Sequence, residues 1–116
     1  QLLVSNGRLN LMVYQRSADL FLGVPFNIAF YALLLHILSS ILNLTPGELV
    51  WVGGSVHIYE EHMDAAKEQL TKKPLPLPEI WIKKSPTVEN LFDASNYSLM
   101  NYKSHEAIKA KIVAGN

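Results

Sequence analysis

The chain has 116 residues, of which 49% are hydrophobic and 17% are charged, and its formal net charge is zero. This length favours one domain, and the composition is typical of a chain with a core rather than of a disordered one. Neutrality removes the basic field that DNA or an anionic membrane surface would need. The absence of cysteine excludes disulfides, a zinc ribbon and a thiol nucleophile from this chain. Gln1 in place of an initiator Met predicts a trimmed N-terminus, and no signal-peptide pattern follows it.

Two apolar, β-rich runs open the chain, at residues 2–4 and 9–14. Asn6-Gly7 lies between them, and this pair tolerates the positive φ angles of a type I′ turn. The sequence therefore predicts a β-hairpin whose second strand ends near Arg16-Ser17.

The segment from Phe26 to Leu44 is apolar on nearly every face, which is typical of a helix that is buried or that crosses a membrane. No Lys or Arg flanks it in the way that orients a membrane span. Its polar interruptions are Asn27, His36, Ser39, Ser40 and Asn43. We therefore interpret it as a buried central helix that ends at Thr45-Pro46-Gly47.

Short elements follow. Residues 48–59 are β-rich, and a bulge or turn is expected at Gly53-Gly54. A short polar helix is predicted over residues 60–72, an extended proline segment over 74–78 and a strand at Ile80-Trp81-Ile82. Residues 85–105 are loop-rich, with a turn or helix at 90–93, and residues 108–113 alternate like a last strand.

Three polar groups could bind a small ligand, and each also has a purely structural interpretation. Arg16-Ser17 offers a forked cation and a hydroxyl to a phosphate, or it is a surface arginine beside a turn serine. Asn27 presents an amide that matches a pyrimidine edge, or it satisfies backbone groups where the helix begins. His57 and Tyr59 face one side of a predicted strand, where they hold a sugar hydroxyl or form a half-buried pair at a sheet edge.

Two further patterns predict no chemistry. His57 and His62 lack the i, i+4 spacing of a helical metal pair, and no cysteine or third clustered ligand accompanies them, so no metal site is expected. Gly53-Gly54-Ser55 lacks the lysine and the following helix of a phosphate-binding loop.

Taken together and in their order along the chain, these residues resemble a known family more strongly than any one of them does alone. The matching blocks are QRSAD at 15–19, LGVPFNIA at 22–29, YALL at 31–34, Pro46-Gly47, His57-Ile58-Tyr59, His62, Gln69-Leu70, Pro76-Leu77-Pro78, Tyr102, His105, Ile108 and Lys109. In this order and spacing the chain is similar to the thymidylate synthase family over essentially all its length, and the first blocks are the most specific.

The resemblance implies a three-layer α/β fold with a mixed sheet and a buried central helix, of which residues 1–116 are the C-terminal part. It also implies a cytoplasmic homodimer that packs through the sheet, with strands at 2–16 contributing, and no DNA or membrane partner. An all-round apolar helix in so short a chain lacks layers to cover it. We therefore expect the isolated chain to self-associate or to depend on further segments.

The family methylates deoxyuridine monophosphate to thymidylate, and the match implies how this chain holds that nucleotide. The arginine-serine pair corresponds to the phosphate site, the asparagine reads the uracil edge and the His-x-Tyr pair holds the deoxyribose 3′-hydroxyl. The implied nucleotide-binding residues are Arg16, Ser17, Ala18, Asp19, Asn27, His57, Ile58 and Tyr59.

The family's cosubstrate is 5,10-methylenetetrahydrofolate, and it uses no metal. The residues that match its folate-facing wall are Asp19, Leu22, Gly23 and Phe26. A cysteine thiolate attacks the uracil ring in this family. The Pro-Cys-His motif that carries it corresponds to positions ahead of Gln1, so this chain supplies no nucleophile, and Asp19 and Asn27 support the chemistry.

The chain departs from the family pattern at several positions. Ser55 replaces an aspartate, Glu61 an asparagine and Glu106 a proline, and residues 114–116 run past the family's usual end. A diverged methyltransferase fits these changes, and so does a catalytically inactive module that binds a nucleotide or a protein partner. A pyrimidine nucleotide hydroxymethylase is a third alternative, because Asn27 favours uracil without separating methylation from hydroxymethylation.

Overall fold

The computed structural model describes residues 1–83 and 86–113. In chain order the strands and helices are β1 (Leu2–Ser5), β2 (Arg8–Asp19), α1 (Gly23–Ile41), β3 (Thr45–His57), a 3₁₀ turn (Glu60–His62), α2 (Met63–Leu70), β4 (Glu79–Ile82), a second 3₁₀ turn (Ala94–Asn96) and β5 (Tyr97–Met100). Strands β1, β2 and β3 form a mixed sheet, and β4 pairs with β5 in a small antiparallel sheet. The α/β class with a mixed sheet is confirmed.

The predicted hairpin is confirmed. Strands β1 and β2 are antiparallel, and Asn6 and Gly7 between them have φ angles of 50° and 72°. Strand β2 continues to Asp19 rather than ending near Arg16-Ser17, because its ladder with the parallel strand β3 extends to the pair Asp19–His57. The extension comes from a strand that is distant in sequence, which no local pattern reveals.

Helix α1 connects the parallel strands β2 and β3 and packs on one face of their sheet. Leu9 and Leu11 from β2 and Leu35 from α1 form the buried core. Burying such a leucine stabilises a fold by about 1.5–3 kcal/mol. The helix ends at Ile41 rather than at Leu44, because Asn43 adopts the left-handed conformation that terminates helices. The expected stop at Thr45-Pro46-Gly47 is wrong, since these residues begin β3.

The outward face of α1 is not covered by the described residues. Val24 and Ile37 are buried, whereas Phe26 and Phe30 remain 75% and 60% exposed. By length and composition alone the helix could cross a membrane. Its position between two parallel strands of one sheet is that of a core helix, in agreement with the interpretation from sequence.

The irregularity of β3 lies at its start and not at Gly53-Gly54. Pro46 pairs with Leu9 and Leu49 pairs with Leu11, so β3 carries the extra residue of a bulge there. The two glycines lie in regular pairing with β2 instead. A Cβ added at Gly54 would be 2.8 Å from the Arg16 carbonyl oxygen and from the Tyr14 hydroxyl, so close approach of the strands requires glycine.

The C-terminal elements are short. Helix α2 and strand β4 agree with the prediction, and turns occupy residues 88–92. Strand β5 was not predicted, because four residues carry too little alternation to separate a strand from a loop. The last strand expected at 108–113 is wrong: these residues have no regular structure, since no neighbouring strand pairs with them. Residues 114–116, which run past the usual end of the family pattern, lie outside the described residues.

Candidate functional site

The predicted site residues gather where the parallel strands β2 and β3 reach their carboxyl ends, beside the first turns of α1. Asp19 and His57 are paired across the two strands, and the Leu20 amide donates to the His57 carbonyl at 2.8 Å. In open α/β sheets this edge is the usual place for a ligand. The topology therefore positions polar side chains from three elements around one region.

A chain of three side chains fixes the orientation of Asn27. The indole Nε1 of Trp51 donates to Gln15 Oε1 at 2.9 Å, and Gln15 Nε2 donates to Asn27 Oδ1 at 3.0 Å. Because an indole nitrogen only donates, it determines which end of the Gln15 amide faces Asn27, and this in turn makes Asn27 Oδ1 the acceptor. The Asn27 amine and the second lone pair of Oδ1 stay available to a ligand.

Gln15 and Trp51 are functional candidates that the sequence reasoning missed. Their bond joins residues 36 positions apart. The available signal was a glutamine on the face of β2 that also carries Leu11 and Val13, where a polar group needs partners. The Asn27 side chain makes no hydrogen bond to a backbone group in the described part of the chain, so its bonding does not support the capping interpretation.

Asp19 and Gly23 lie next to Asn27. Asp19 Oδ1 accepts from the Phe21 amide at 3.2 Å, which holds the turn into α1. A Cβ built on Gly23 would be 3.4 Å from Asp19 Cβ and 3.7 Å from Asn27 Oδ1. These distances place the three residues around one corner of the site.

His57 and Tyr59 are neighbours at the end of β3. Their rings meet edge to face at 5.2 Å, and both residues are half-buried, with the exposed Ile58 between them. His57 Nδ1 lies 3.1 Å from the carbonyl oxygen of Ser55. A carbonyl only accepts, so this bond puts the hydrogen on Nδ1 and leaves the Nε2 lone pair for a hydroxyl. Ser55, where the family pattern has aspartate, acts here through its backbone.

Arg16 and Ser17 are both exposed, but they are not brought together by direct contact. Strand alternation directs their side chains to opposite faces of the sheet. No ion pair involving Arg16 occurs in the described ranges 1–83 and 86–113. Ala18 is fully buried, so it can offer a ligand little beyond its position in the strand.

Leu22 and Phe26 line a cavity of about 330 Å³ together with Phe21, Pro25 and Ile108. Its walls are apolar and aromatic on this side, whereas Lys72, His105 and Glu106 line the other. Such a lining fits a flat heteroaromatic ring with a polar end. Asp19 and Gly23 are not among its walls and belong to the Asn27 corner. Glu106, which replaces a proline of the family pattern, lines this cavity. Glu61, which replaces an asparagine, is exposed in the first 3₁₀ turn.

A larger cavity of about 530 Å³ separates α1 from β4 and β5, with His36 and Tyr102 in its lining. It contains none of the predicted site residues. Within residues 1–83 and 86–113, no three His, Asp or Glu side chains converge in a way that could hold a metal ion.

The fold and the site define an α/β unit that presents polar side chains at the ends of parallel strands. A family model described as thymidylate synthase matches residues 1–114. The chain is 50% identical over 114 residues to a thymidylate synthase of Wigglesworthia glossinidia brevipalpis, and the match covers 97% of this chain and 42% of that protein. The chain therefore belongs to the thymidylate synthase family, and it spans about two fifths of that relative's length. Neither finding favours the inactive module or the hydroxymethylase.

Proposed function

We propose that this chain forms the nucleotide-holding part of a cytoplasmic thymidylate synthase. This methyltransferase converts deoxyuridine monophosphate to thymidylate with 5,10-methylenetetrahydrofolate as the one-carbon donor. The observation that carries the proposal is the hydrogen-bonded chain from Trp51 through Gln15 to Asn27. It prepares an amide of fixed polarity at the carboxyl ends of the strands, where a pyrimidine can reach it.

The fixed polarity of Asn27 suits uracil. Uracil presents an oxygen acceptor next to an N–H donor, so the Asn27 amine donates to the oxygen and Oδ1 accepts from the ring nitrogen. Cytosine presents the opposite order, and reading it would require the Asn27 amide to turn and break its bond with Gln15. A site with buried polar groups rejects a mismatched partner strongly, because those groups are left unpaired.

The remaining nucleotide contacts follow from position and chemistry. His57 Nε2 and the Tyr59 hydroxyl take the sugar hydroxyl at the end of β3, and Ile58 separates them. Arg16 supplies charge to the phosphate, and Ser17 adds a hydroxyl. Both side chains are exposed, so a phosphate can approach them without displacing core residues.

Leu22 and Phe26 would hold the ring of the folate in the cavity that they line, with Asp19 and Gly23 on the nucleotide side. When bound, the folate supplies the one-carbon unit and the hydride. The thiol nucleophile of this reaction comes from outside residues 1–116, since the chain has no cysteine. Asp19 and Asn27 act by orienting the base and the folate.

Isothermal titration with deoxyuridine, deoxycytidine and thymidine monophosphates tests this proposal. We expect the deoxyuridine nucleotide to bind more tightly than the deoxycytidine nucleotide, Asn27→Ala to abolish this preference, and Arg16→Ala to weaken all three nucleotides. Arg8→Ala is the matched control, because Arg8 lies on the same strand at the opposite end of the sheet. Equal binding of all three by the unmodified chain, or none at all, would contradict the proposal.

We also propose a homodimer through the face of the sheet that α1 leaves bare. Met12, Tyr14 and Val50 lie on this face and are 43%, 68% and 44% exposed. Closely spaced exposed apolar residues mark an interface, and a two-fold axis makes such a face complementary to itself.

Sedimentation velocity tests the dimer. The unmodified chain should self-associate at micromolar concentration, and the double variant Tyr14→Lys/Val50→Lys should sediment as a monomer. Leu70→Lys is the control, because Leu70 is 86% exposed on α2, away from the sheet. If the unmodified chain sediments as a monodisperse monomer, the homodimer proposal is wrong.

A further inference from the structure

His62 is a fully buried histidine between the proposed sugar site and the C-terminal segment, which we define as residues 104–113. Its Nε2 lies 2.7 Å from the carbonyl oxygen of Lys111, 49 residues further along the chain. A carbonyl oxygen only accepts, so Nε2 must carry the hydrogen. Nδ1 is also buried and has no partner among the described residues. The Lys111 bond therefore satisfies Nε2 and is the one polar interaction of this ring among the described residues.

The His62 ring also contacts the site. It meets Tyr59 edge to face at 5.8 Å and a tilted Phe21 ring at 5.5 Å, and the His62 amide donates to the Tyr59 carbonyl at 2.9 Å. Tyr59 in turn contacts His57. Aromatic contacts of this geometry contribute beyond the area that they bury. His62 is thus attached to Tyr59 by its backbone and by its ring.

The C-terminal segment has little else to hold it. It pairs with no strand in the described structure, and His62 and His105 make its side-chain hydrogen bonds. His105 Nε2 lies 2.8 Å from the Lys73 carbonyl oxygen, but this bond is exposed. The His62 bond is part-buried and its histidine side is fully buried, so breaking it leaves a desolvated ring nitrogen unpaired and costs more. The His62 bond is therefore the main contact that holds the Lys111 end of the C-terminal segment to the rest of the chain.

We propose that His62 is a positioning residue that fastens the Lys111 carbonyl to the ring of Tyr59, so that the C-terminal segment and the proposed sugar-binding pair move as one unit. The functional meaning rests on the proposed function, because Tyr59 is a ligand-binding residue only there. The coupling itself is a property of the ligand-free chain. Ile108 of the same segment lines the proposed folate cavity, so displacement of the segment also opens that cavity.

Limited trypsin digestion of the full chain tests the fastening, because trypsin attacks the very carbonyl that His62 holds. Cleavage after Lys111 requires the segment to leave His62, so its rate follows the opening equilibrium. His62→Phe keeps a ring and removes the donor, and we expect about five- to tenfold faster cleavage after Lys111. His62→Gln keeps an N–H donor at a similar reach and should restore a nearly unmodified rate.

Two controls separate this effect from general loosening. Cleavage after Lys103 should stay unchanged in both variants, because Lys103 precedes the segment. His105→Phe removes the same kind of bond at an exposed position and should leave cleavage after Lys111 within about twofold, since exposed hydrogen bonds contribute little net stability. Fast cleavage after Lys111 in His62→Gln, or no change in His62→Phe, would overturn the proposal.

Fluorotyrosine NMR tests the coupling to Tyr59. The Tyr59 resonance, identified by its loss in Tyr59→Phe, should shift or broaden in His62→Phe and stay in place in His105→Phe. Saturating deoxyuridine monophosphate should slow cleavage after Lys111 in the unmodified chain but not in His62→Phe, because coupling between sites is reciprocal. If the Tyr59 resonance does not change in His62→Phe, the proposed coupling between His62 and Tyr59 is wrong. Failure of the nucleotide to bind would contradict only the proposed function, because the ligand-free measurements decide this inference.

Discussion

The chain has two differently built parts, the βαβ part (residues 2–57) and the C-terminal part (residues 58–113). In the βαβ part, β2 pairs with strands on both sides and packs under α1 around Leu9, Leu11 and Leu35. In the C-terminal part, His62 and Pro86 are the buried residues among those described. The first part is held by a long ladder and a core, whereas the second has only the short β4–β5 ladder and a few bonds from side chains to carbonyl groups among its described residues.

The proposed site takes residues from both parts, so its base-binding end and its sugar-binding end are held in place by different contacts. Asp19 and Asn27 belong to the βαβ part, where the base end of the site is fixed by Gln15 and Trp51. Tyr59 belongs to the C-terminal part and is held by His62. Base recognition should therefore survive changes in the C-terminal part, whereas sugar recognition should not.

The largest expected effect is a loss of stability in the βαβ part. Leu9 is 1% exposed, so Leu9→Ala leaves a cavity in the core and should lower the free energy of unfolding by about 2–5 kcal/mol. Leu99→Ala is the matched change in β5, where the side chain is 54% exposed and the loss should stay below about 1 kcal/mol. Urea denaturation followed by circular dichroism measures both. Equal losses would mean that the two parts do not differ in packing.

A second variant separates base recognition from general stability. Gln15→Leu preserves the size of the side chain, removes its bonds to Asn27 and Trp51, and leaves the Asn27 amide free to turn. We expect a loss of about 1–3 kcal/mol of stability, from polar groups left unpaired. Titration should show about tenfold weaker binding of deoxyuridine monophosphate, because each 1.4 kcal/mol corresponds to a factor of ten, and reduced preference over deoxycytidine monophosphate.

Gln1→Leu is the control for that measurement, because Gln1 is exposed and lines neither the proposed nucleotide site nor the folate cavity. If Gln15→Leu keeps the full preference for the uracil nucleotide, then the bond to Gln15 does not set the polarity of Asn27.

The smallest expected effect lies in the C-terminal part. The pKa of Asp93 lies below its ordinary value of 3.8, because the Ser95 side chain and backbone donate hydrogen bonds to the carboxylate. A lowered pKa stabilises the turn above pH 3.8, and this contribution is lost as the pH falls through the lowered value. The amide resonance of Ser95 should therefore move on acidification below pH 3.8 and lose this response in Asp93→Asn. The amide of Leu20, bonded within the βαβ part, should not follow the same titration.

Local sequence signals identified much of the fold. The apolar run from Phe26 predicted α1, and Val50-Trp51-Val52 predicted β3, because periodicity and β-branching act over a few residues. The same signals misplaced the end of α1, the bulge in β3 and the last strand. Two of these errors concern pairing with distant residues: the bulge depends on Asn10, whose side chain accepts from the Glu48 amide, and the tail has no strand to join. The end of α1 is instead set locally, by the left-handed Asn43.

The sequence by itself determined the Asn6-Gly7 turn, the apolar central helix, the lack of a nucleophilic thiol and the resemblance to thymidylate synthases that the comparisons confirm. Only the tertiary structure decided that Trp51 orients Gln15 and that His62 holds Lys111. These partners are 36 and 49 residues apart. Turn and helix preferences arise from the φ and ψ energies of neighbouring residues. Bonds across such distances exist only after the register of β2 and β3 and the path of the C-terminal segment have been fixed.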